Sequence, residues 1–214
     1  MLTLHRAAFL LSDPGASSLA DGAVVVSGET VVAVGPYASL AGAHVGARVR
    51  DWGAGSVLAP GLRQRYGHRL LEHDYHPDPR EGVGAEPVAD ALAGSGDEVR
   101  CGASARRGLQ RMLGYGVTAV AGPFERASVR TAVARSGVLA LPGGLALPGE
   151  VEGSGPLDPL EGLAFEQAAF GRLEAGGRAN FAVFALGGGE HRVEPAAGGC
   201  LATVLGGRLV YRRR

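Results

Sequence analysis

The chain contains no lysine, because all 21 of its basic residues are arginine. A lysine amine is the nucleophile of Schiff-base enzymes and the phosphate-binding cation of P-loops. Its absence excludes both mechanisms, and it also excludes catalysis by a lysine general base. Isoleucine is missing too, and Asn180 is the only asparagine, which is typical of a strongly GC-biased genome rather than of a physical demand.

Excess charge, long apolar runs and paired cysteines are missing as well. The formal net charge is zero, so nothing is available to neutralise a phosphate backbone, and we expect no nucleic-acid partner. No cationic segment precedes an apolar one at the N-terminus, and no apolar run approaches the roughly 18 residues of a transmembrane helix. We therefore expect a cytoplasmic protein without a membrane segment.

Cys101 and Cys200 lack CxxC spacing, which favours two reduced, half-buried thiols over a disulfide or a zinc knuckle.

The first 60 of the 214 residues have the pattern of β-strands. Two valine-rich runs in residues 22–35 flank Ser27-Gly28-Glu29-Thr30, and Gly28 suits the first central position of a type II′ turn. This pattern predicts a β-hairpin. The other predicted strands in this part are Leu4–Leu11, Val49–Trp52 and Ser56–Leu58.

The hydrophobic period changes in the middle of the chain. Ser104–Gly114 has apolar residues at helical spacing, and Tyr115–Ala121 is an almost unbroken apolar run, as expected for a strand buried on both faces. A second helix is predicted at Glu125–Arg135 and a second buried run at Val138–Leu141. Helices that alternate with buried strands indicate a parallel sheet.

The last third begins with Pro142–Pro159, which is rich in glycine and proline and is predicted to be a linker or a surface loop. Leu160–Leu173 is then predicted to be a helix that packs through Leu163, Phe165, Ala169 and Phe170. The Gly-rich pieces, including Gly143-Gly144 and Gly187 to Gly189, lack the GxGxxG spacing of a dinucleotide site. Two final stretches are predicted to be strands: Asn180–Leu186, and Cys200–Arg213 with a hairpin turn at Gly206-Gly207.

Four side chains with metal-binding chemistry lie close together in sequence: His68, His73, Asp74 and His76. Three imidazoles and a carboxylate could bind zinc or another divalent metal, and His68 and Asp74 are also candidate catalytic groups. The alternative is a polar loop after a strand, without a metal cofactor. The sequence favours the loop because His73 and His76 lie in a proline- and aspartate-rich segment without the i, i+4 spacing of a helical metal motif.

Other polar residues have simpler interpretations. Glu72, Asp74 and Asp78 could act as general bases, but exposed loop carboxylates are common. Ser104 has no nucleophile-elbow sequence around it and is better suited to cap a helix. Three arginines, Arg106, Arg107 and Arg111, are interpreted as a solvated helix face, or alternatively as a site for an anionic metabolite or partner.

The order of these segments is more specific than any one of them. DGAVVVSGETVVAVG, VLAPGL, LEAGGRANFAVFAL and LATVLGGRLVYRR, with GYGVTAV and SGVLAL between them, resemble the amidohydrolase superfamily, in particular its imidazolonepropionase-like and cytosine-deaminase-like members. The resemblance implies a fold of class α/β plus β. A β-sandwich would be split between residues 1–60 and 172–214, and residues 61–171 would form a (β/α) barrel.

The middle of the chain departs from this family. A complete barrel needs about 200 to 250 residues, whereas Gly61 to Gly171 provides 111. The resemblance also implies a metal motif in which Pro60-Gly61-Leu62 is followed by His-x-His, yet Tyr66 occupies the first histidine position and only His68 matches. The lysine, the two later histidines and the aspartate of the family have no counterparts. We therefore expect a truncated barrel remnant.

Two functions are left open. One is a pseudoenzyme that has lost hydrolysis and acts as a binding or interaction subunit. The other is an active hydrolase of carbon–nitrogen bonds other than peptide bonds, in a cyclic amide or amino-heterocycle, with a rebuilt zinc or other divalent-metal site. A truncated barrel sheet has open edges. We therefore predict a homodimer or a protein partner that covers the middle segment.

Overall fold

The computed structural model describes residues 1–143, 155–186 and 193–214. The strands in these ranges are β1 Leu2–Leu10, β2 Leu19–Ser27, β3 Thr30–Pro36, β4 Arg48–Asp51, β5 Ser56–Pro60, β6 Leu62–Gln64, β7 Val117–Ala121, β8 Leu139–Leu141, β9 Phe181–Leu186, β10 Pro195–Leu205 and β11 Arg208–Arg212. The α-helices are α1 Tyr37–Ala43, α2 Gly67–Glu72, α3 Glu98–Leu113, α4 Ala127–Ser136 and α5 Phe165–Ala168.

Strands from both ends of the chain form one eight-stranded sheet. Its order is β11-β10-β9-β5-β1-β2-β3, and β4 pairs with the first half of β1. The two ends of the chain meet where β5 pairs antiparallel with β9, with Val57 opposite Phe184. The strands predicted at both ends are therefore confirmed, including the hairpins, whose turn residues Gly28, Gly206 and Gly207 all have positive φ.

This sheet curves so that its two ends share a core. Val26 on β2 and Val204 on β10 belong to the same buried cluster, although three strands, β9, β5 and β1, lie between them in the sheet. Backbone hydrogen bonds join the β2–β3 turn to the segment before β9, from Val31 N–H to the Gly177 carbonyl at 2.9 Å and from Ala179 N–H to the Glu29 carbonyl at 2.7 Å. The chain therefore has a mixed, sheet-dominated α/β fold. The domain division into 1–60 with 172–214 and 61–171 stays a prediction.

A smaller parallel sheet, ordered β6-β7-β8, lies in the middle of the chain. The predicted βα alternation is confirmed, and all five residues of β7 are buried. The prediction that the next strand is buried is wrong, because β8 is an edge strand among the described residues of this sheet and Leu139 is 44% exposed. An apolar run looks the same in a central strand and in an edge strand.

Helix α3 begins at Glu98, before its predicted start at Ser104. Asp97 caps it, since its Oδ1 accepts a hydrogen bond from Arg100 N–H at 2.9 Å. Ser104 therefore does not cap the helix but lies inside it, fully buried. The inner side of α3 packs with β7 and with the outer face of β5 and β9 in one large cluster, which joins the parallel sheet to the eight-stranded sheet.

The helix predicted at Leu160–Leu173 is wrong. Only a 3₁₀ turn at Pro159–Glu161 and the single turn of α5 form there, because Ala164 is extended and Gly171 has a φ of 78°. Most of the predicted loop Pro142–Pro159, together with Gly144 and Gly187 to Gly189, lies outside the described residues. Both cysteines are free, as predicted, but they are fully buried rather than half-buried. No helix in the described residues is long and apolar enough to cross a membrane.

Candidate functional site

The candidate residues lie in the segment that follows β6. Ligands of parallel α/β sheets bind outside the carboxyl ends of the strands, so this segment is the natural place to search for a site. The chain leaves β6 at Gln64, forms the short helix α2, and then passes along α3 from His73 to Asp78.

His68 and His73 are neighbours on the surface of this segment. Their ring centroids are 5.9 Å apart in an edge-on arrangement. His68 is exposed, and the His73 side chain is 38% exposed, with Nδ1 3.9 Å from Asp90 Oδ1. The structure therefore brings together two of the four predicted ligands.

Asp74 is buried and serves a different part of the chain. Its Oδ1 accepts a hydrogen bond from the backbone N–H of Asp90 at 3.0 Å. Asp90 has a φ of 54°. Both of its carboxylate oxygens accept hydrogen bonds from Arg69 Nη2, at 2.9 and 3.0 Å. The Asp74 carboxylate thus fixes a strained loop residue, which explains its burial without a catalytic role.

His76 is enclosed between α2 and α3. Its Nε2 lies 2.8 Å from the Leu70 carbonyl, so this nitrogen carries the proton and donates. Its backbone N–H donates to Ser104 Oγ at 2.9 Å, and a Cβ on Gly108 would fall 2.5 Å from Nε2. Burial lowers the pKa of the ring. His76 is therefore a neutral histidine of the interior.

The four predicted residues do not form a single cluster. Within residues 1–143, 155–186 and 193–214, no three histidine, cysteine, aspartate or glutamate side chains are arranged to hold a metal ion. Zinc requires three or four such ligands, and His68 with His73 supplies two. The donors in this part of the chain do not fit the metal that the family resemblance implies. A site completed by other groups stays a prediction.

Instead, the carboxyl end of β6 is filled by the chain itself. Gln64 is 1% exposed, and its Nε2 donates to the Pro156 carbonyl at 2.9 Å and to the Leu157 carbonyl at 3.1 Å. Its Oε1 accepts from Tyr66 N–H at 3.0 Å. The Tyr66 ring lies directly against Gly155. Tyr66, at the first histidine position of the motif, and Gln64, two residues before it, thus pack against the segment 155–157.

Two further carboxylates that the sequence leaves as loop groups are structural. Glu72 is 4% exposed, and its Oε1 accepts from the N–H of Arg126 at the start of α4, at 2.8 Å. Asp78 accepts from Arg80 N–H and begins a 3₁₀ turn. The prediction that these are exposed loop carboxylates is wrong for Glu72 and for Asp74.

The arginines of α3 are only partly solvated. Arg107 Nε donates to the His76 carbonyl at 2.7 Å, and Arg111 Nη1 donates to the Ala85 carbonyl. Arg106 is exposed. The interpretation as a solvated face is therefore wrong for Arg107 and Arg111, whose guanidinium groups tie the segment 76–85 to the helix.

Comparison with known proteins gives two partial matches in sequence. The model of the bacterial imidazolonepropionase-like composite domain matches residues 22–44, which include most of β2 and all of β3 and α1. An imidazolonepropionase of Erwinia tasmaniensis is 33% identical over 111 residues, which are 46% of this chain and 27% of that protein. The predicted resemblance to imidazolonepropionase-like proteins is confirmed.

Solved structures with similar folds include the ochratoxinase of A. niger, with a TM-score of 0.46 and 21% identity over 68% of this chain and 32% of that one. An adenosine deaminase from Xanthomonas campestris with bound zinc has a TM-score of 0.46 and 22% identity, over 65% of this chain and 33% of that one. A guanine deaminase from Bradyrhizobium japonicum has a TM-score of 0.46 and 18% identity, over 66% and 34%. The chain spans about a third or less of the length of these relatives.

Proposed function

Because the chain is similar to imidazolonepropionases in its composite domain, we propose that it is an inactive relative of these amidohydrolases that acts as a binding or interaction subunit. The observation that carries this proposal is the packing at the carboxyl end of β6. Gln64 and Tyr66 there face the segment 155–157 instead of an open pocket. A substrate would have to displace that segment.

The residue inventory supports the same conclusion. Tyr66 stands at the first histidine position of the motif, and the matching His68 is an exposed residue of α2. The lysine that the family places on a later strand is absent from the whole sequence. A single motif histidine does not make a hydrolytic metal centre, because one imidazole cannot offset the dehydration of the ion.

We also propose that the parallel sheet is a reduced barrel with an exposed edge. Residues 155–180, which precede β9, form short helical turns and isolated bridges, among them Ala169 with Leu62 of β6, but no further strand. Leu139 is exposed on β8. A second copy of the chain or another protein would cover this edge, since unpaired strands favour association. Light scattering at micromolar concentration tests this, and a monodisperse monomer would contradict the homodimer.

The alternative function is hydrolysis of a carbon–nitrogen bond at a rebuilt metal site. The pair His68 and His73 would have to belong to that site. Asp74 and His76 are instead hydrogen-bonded to the backbone of Asp90 and Leu70, respectively. The proposal of an inactive protein is therefore the better supported of the two.

Metal analysis and turnover separate the two functions. We expect the purified full chain to hold no stoichiometric zinc, iron or manganese. We also expect no chelator-sensitive turnover of imidazolones, hydantoin or cytosine, with or without added zinc. A matched pair of variants, His68→Ala/His73→Ala and His44→Ala, controls for loss of surface histidines. The proposal would be overturned by turnover that a chelator abolishes and that is lost in the His68→Ala/His73→Ala variant but kept in the His44→Ala variant.

A further inference from the structure

A concave surface lies between α3 and the segment 77–85. It is an open cavity of about 870 Å³. Its lining residues on α3 are Ala103, Arg106, Arg107, Gln110 and Arg111. These positions are spaced by three and four residues, so they form one continuous face of the helix. Pockets that bind small molecules have volumes of about 300 to 1,000 Å³, and this cavity falls within that range.

The cavity has an excess of positive charge. Three guanidinium groups line it, against one carboxylate, Asp78. Arg107 Nη1 is 3.8 Å from Asp78 Oδ2, which is a loose ion pair. Arg111 Nη2 is 3.7 Å from Glu86 Oε2, but that glutamate side chain is 90% exposed. The positive charge at the wall is therefore only partly compensated.

Two of the arginines are already positioned. Arg107 donates through Nε to the His76 carbonyl, and Arg111 donates through Nη1 to the Ala85 carbonyl. Each guanidinium has five N–H donors, so these contacts orient the groups and leave further donors for a ligand. Such orientation before binding lowers the entropy cost of holding an anion.

Two other donors in the cavity are uncommitted. Within the described part of the chain, the side chains of Arg106 and Gln110 make no hydrogen bond or ion pair, and the two residues lie one helical turn apart. A guanidinium and an amide at this spacing can contact the same oxyanion. Arginine is the side chain best suited to carboxylate and phosphate, because its planar fork donates two parallel hydrogen bonds.

The wall opposite α3 presents apolar groups beside the Asp78 carboxylate. Its apolar residues are Pro77, Pro79 and Ala85, and Ala103 adds a small apolar group on the α3 side. Small apolar groups next to arginines suit a molecule with a compact apolar body and one anionic group. They do not favour a bare inorganic ion, which would leave this wall in contact with water.

We propose that this cavity binds a small organic anion through Arg106, Gln110 and the oriented Arg107 and Arg111, with its apolar body against Pro77 and Pro79. The inference gives a ligand class to the binding role proposed above. It shares no residue with the packing of Tyr66 and Gly155, so its failure would leave the prediction about turnover unchanged.

Calorimetric titration of the full chain with phenyl phosphate, benzoate, inorganic phosphate and benzyl alcohol tests the proposal. We expect at least one of the two organic anions to bind with a Kd below about 10 mM, and more tightly than inorganic phosphate or the neutral alcohol. Arg106→Gln should weaken that binding about tenfold, because a charge-assisted hydrogen bond is lost. Gln110→Ala should weaken it less.

Arg208→Gln is the matched control, because it removes the same charge from an exposed position at the start of β11. Ala103→Met provides an independent test, since it fills the cavity and keeps every charge, and it should also weaken binding. Thermal unfolding of each variant shows that the fold is retained. Absence of binding by both organic anions, or equal binding by the Arg106→Gln and Arg208→Gln variants, would overturn the proposal.

Discussion

The ring of Tyr66 lies against the backbone of Gly155, so that a Cβ added to this glycine would fall 2.1 Å from Tyr66 Cδ2. The two residues are far apart in sequence, and their contact joins the start of α2 to the segment before α5. The contact holds the segment 155–157 over the carboxyl end of β6, the end at which parallel α/β sheets generally bind their ligands.

The first prediction concerns this contact. Gly155→Ala should lower the free energy of unfolding by about 1–3 kcal/mol, because the added methyl group forces the tyrosine ring or the segment to move. Urea denaturation gives the measurement. Gly162→Ala is the control, since nothing lies within 4 Å of its Cβ position and its φ of −133° is open to alanine.

A double-mutant cycle localises the effect. In a Tyr66→Ala background the space for the new methyl group exists, so Gly155→Ala should cost much less there. Equal costs in the two backgrounds would show that Tyr66 and Gly155 are not in contact, and the proposal that this end of β6 is filled would lose its main support.

Gln64 provides the second prediction. Gln64→Leu keeps the size of the side chain but leaves the Pro156 and Leu157 carbonyls and the Tyr66 N–H without their partner. We expect a loss of about 1–3 kcal/mol for each group that remains buried, and faster proteolysis near residues 155–157. Gln110→Leu, at an exposed position of α3, is the control for the chemical change. Unchanged proteolysis of the Gln64 variant would contradict the prediction.

The third prediction concerns Ser104, whose Oγ accepts from His76 N–H at 2.9 Å and lies 3.4 Å from the Asp74 carbonyl. Ser104→Ala leaves a buried backbone donor unpaired, so we expect a loss of about 1–3 kcal/mol although alanine is the better helix former. Ser17→Ala, at an exposed loop position, should change the stability by less than about 0.5 kcal/mol. A Ser104→Ala variant as stable as the parent would show that His76 N–H has another partner.

The sequence predicts those parts of the fold that depend on local chemistry. Gly28 and the pair Gly206-Gly207 supply the positive φ angles that two hairpins need, and the apolar spacing of Leu109, Met112 and Leu113 marks the buried side of α3. These signals are contained within a few neighbouring residues, so no knowledge of the tertiary structure is needed.

The sequence fails where a distant segment decides the outcome. The helix expected at Leu160–Leu173 gives way to a contact with distant backbone, since Phe170 N–H donates to the Gly61 carbonyl at 2.8 Å. The exposure of Leu139 depends on β8 being an edge strand among the described residues. Arg107 is tied to the His76 carbonyl, 31 residues away, and this contact cannot be inferred from a pattern of charges. The sequence predicts the candidate site as a set of residue types, whereas burial divides those residues between the surface and the interior.

The fourth prediction is a pH dependence caused by His5. This ring is 1% exposed, lies edge-on to Phe181 at 5.0 Å, and stacks on Trp52 at 6.0 Å. Burial, and to a smaller extent the charge of Arg50, lowers its pKa from 6.5 to about 4. The unfolded chain therefore binds this proton at a higher pH than the folded protein does.

The sign of the effect follows from that order. The contribution of neutral His5 to stability is complete above about pH 6.5, decreases as the pH falls, and levels off below about pH 4. The total loss is about 3 kcal/mol, from the difference between the two pKa values. Urea denaturation between pH 4 and 7.5 measures this change in the free energy of unfolding.

His5→Phe removes the proton-binding group and keeps a flat ring between Trp52 and Phe181. We expect the slope of stability against pH to become much smaller in this variant. Part of it should remain, because burial also lowers the pKa of His76 and that residue acts in the same direction. An unchanged slope in the variant would mean that His5 is protonated within the folded protein, and that Arg50 and the surrounding aromatic rings do not exclude the charge.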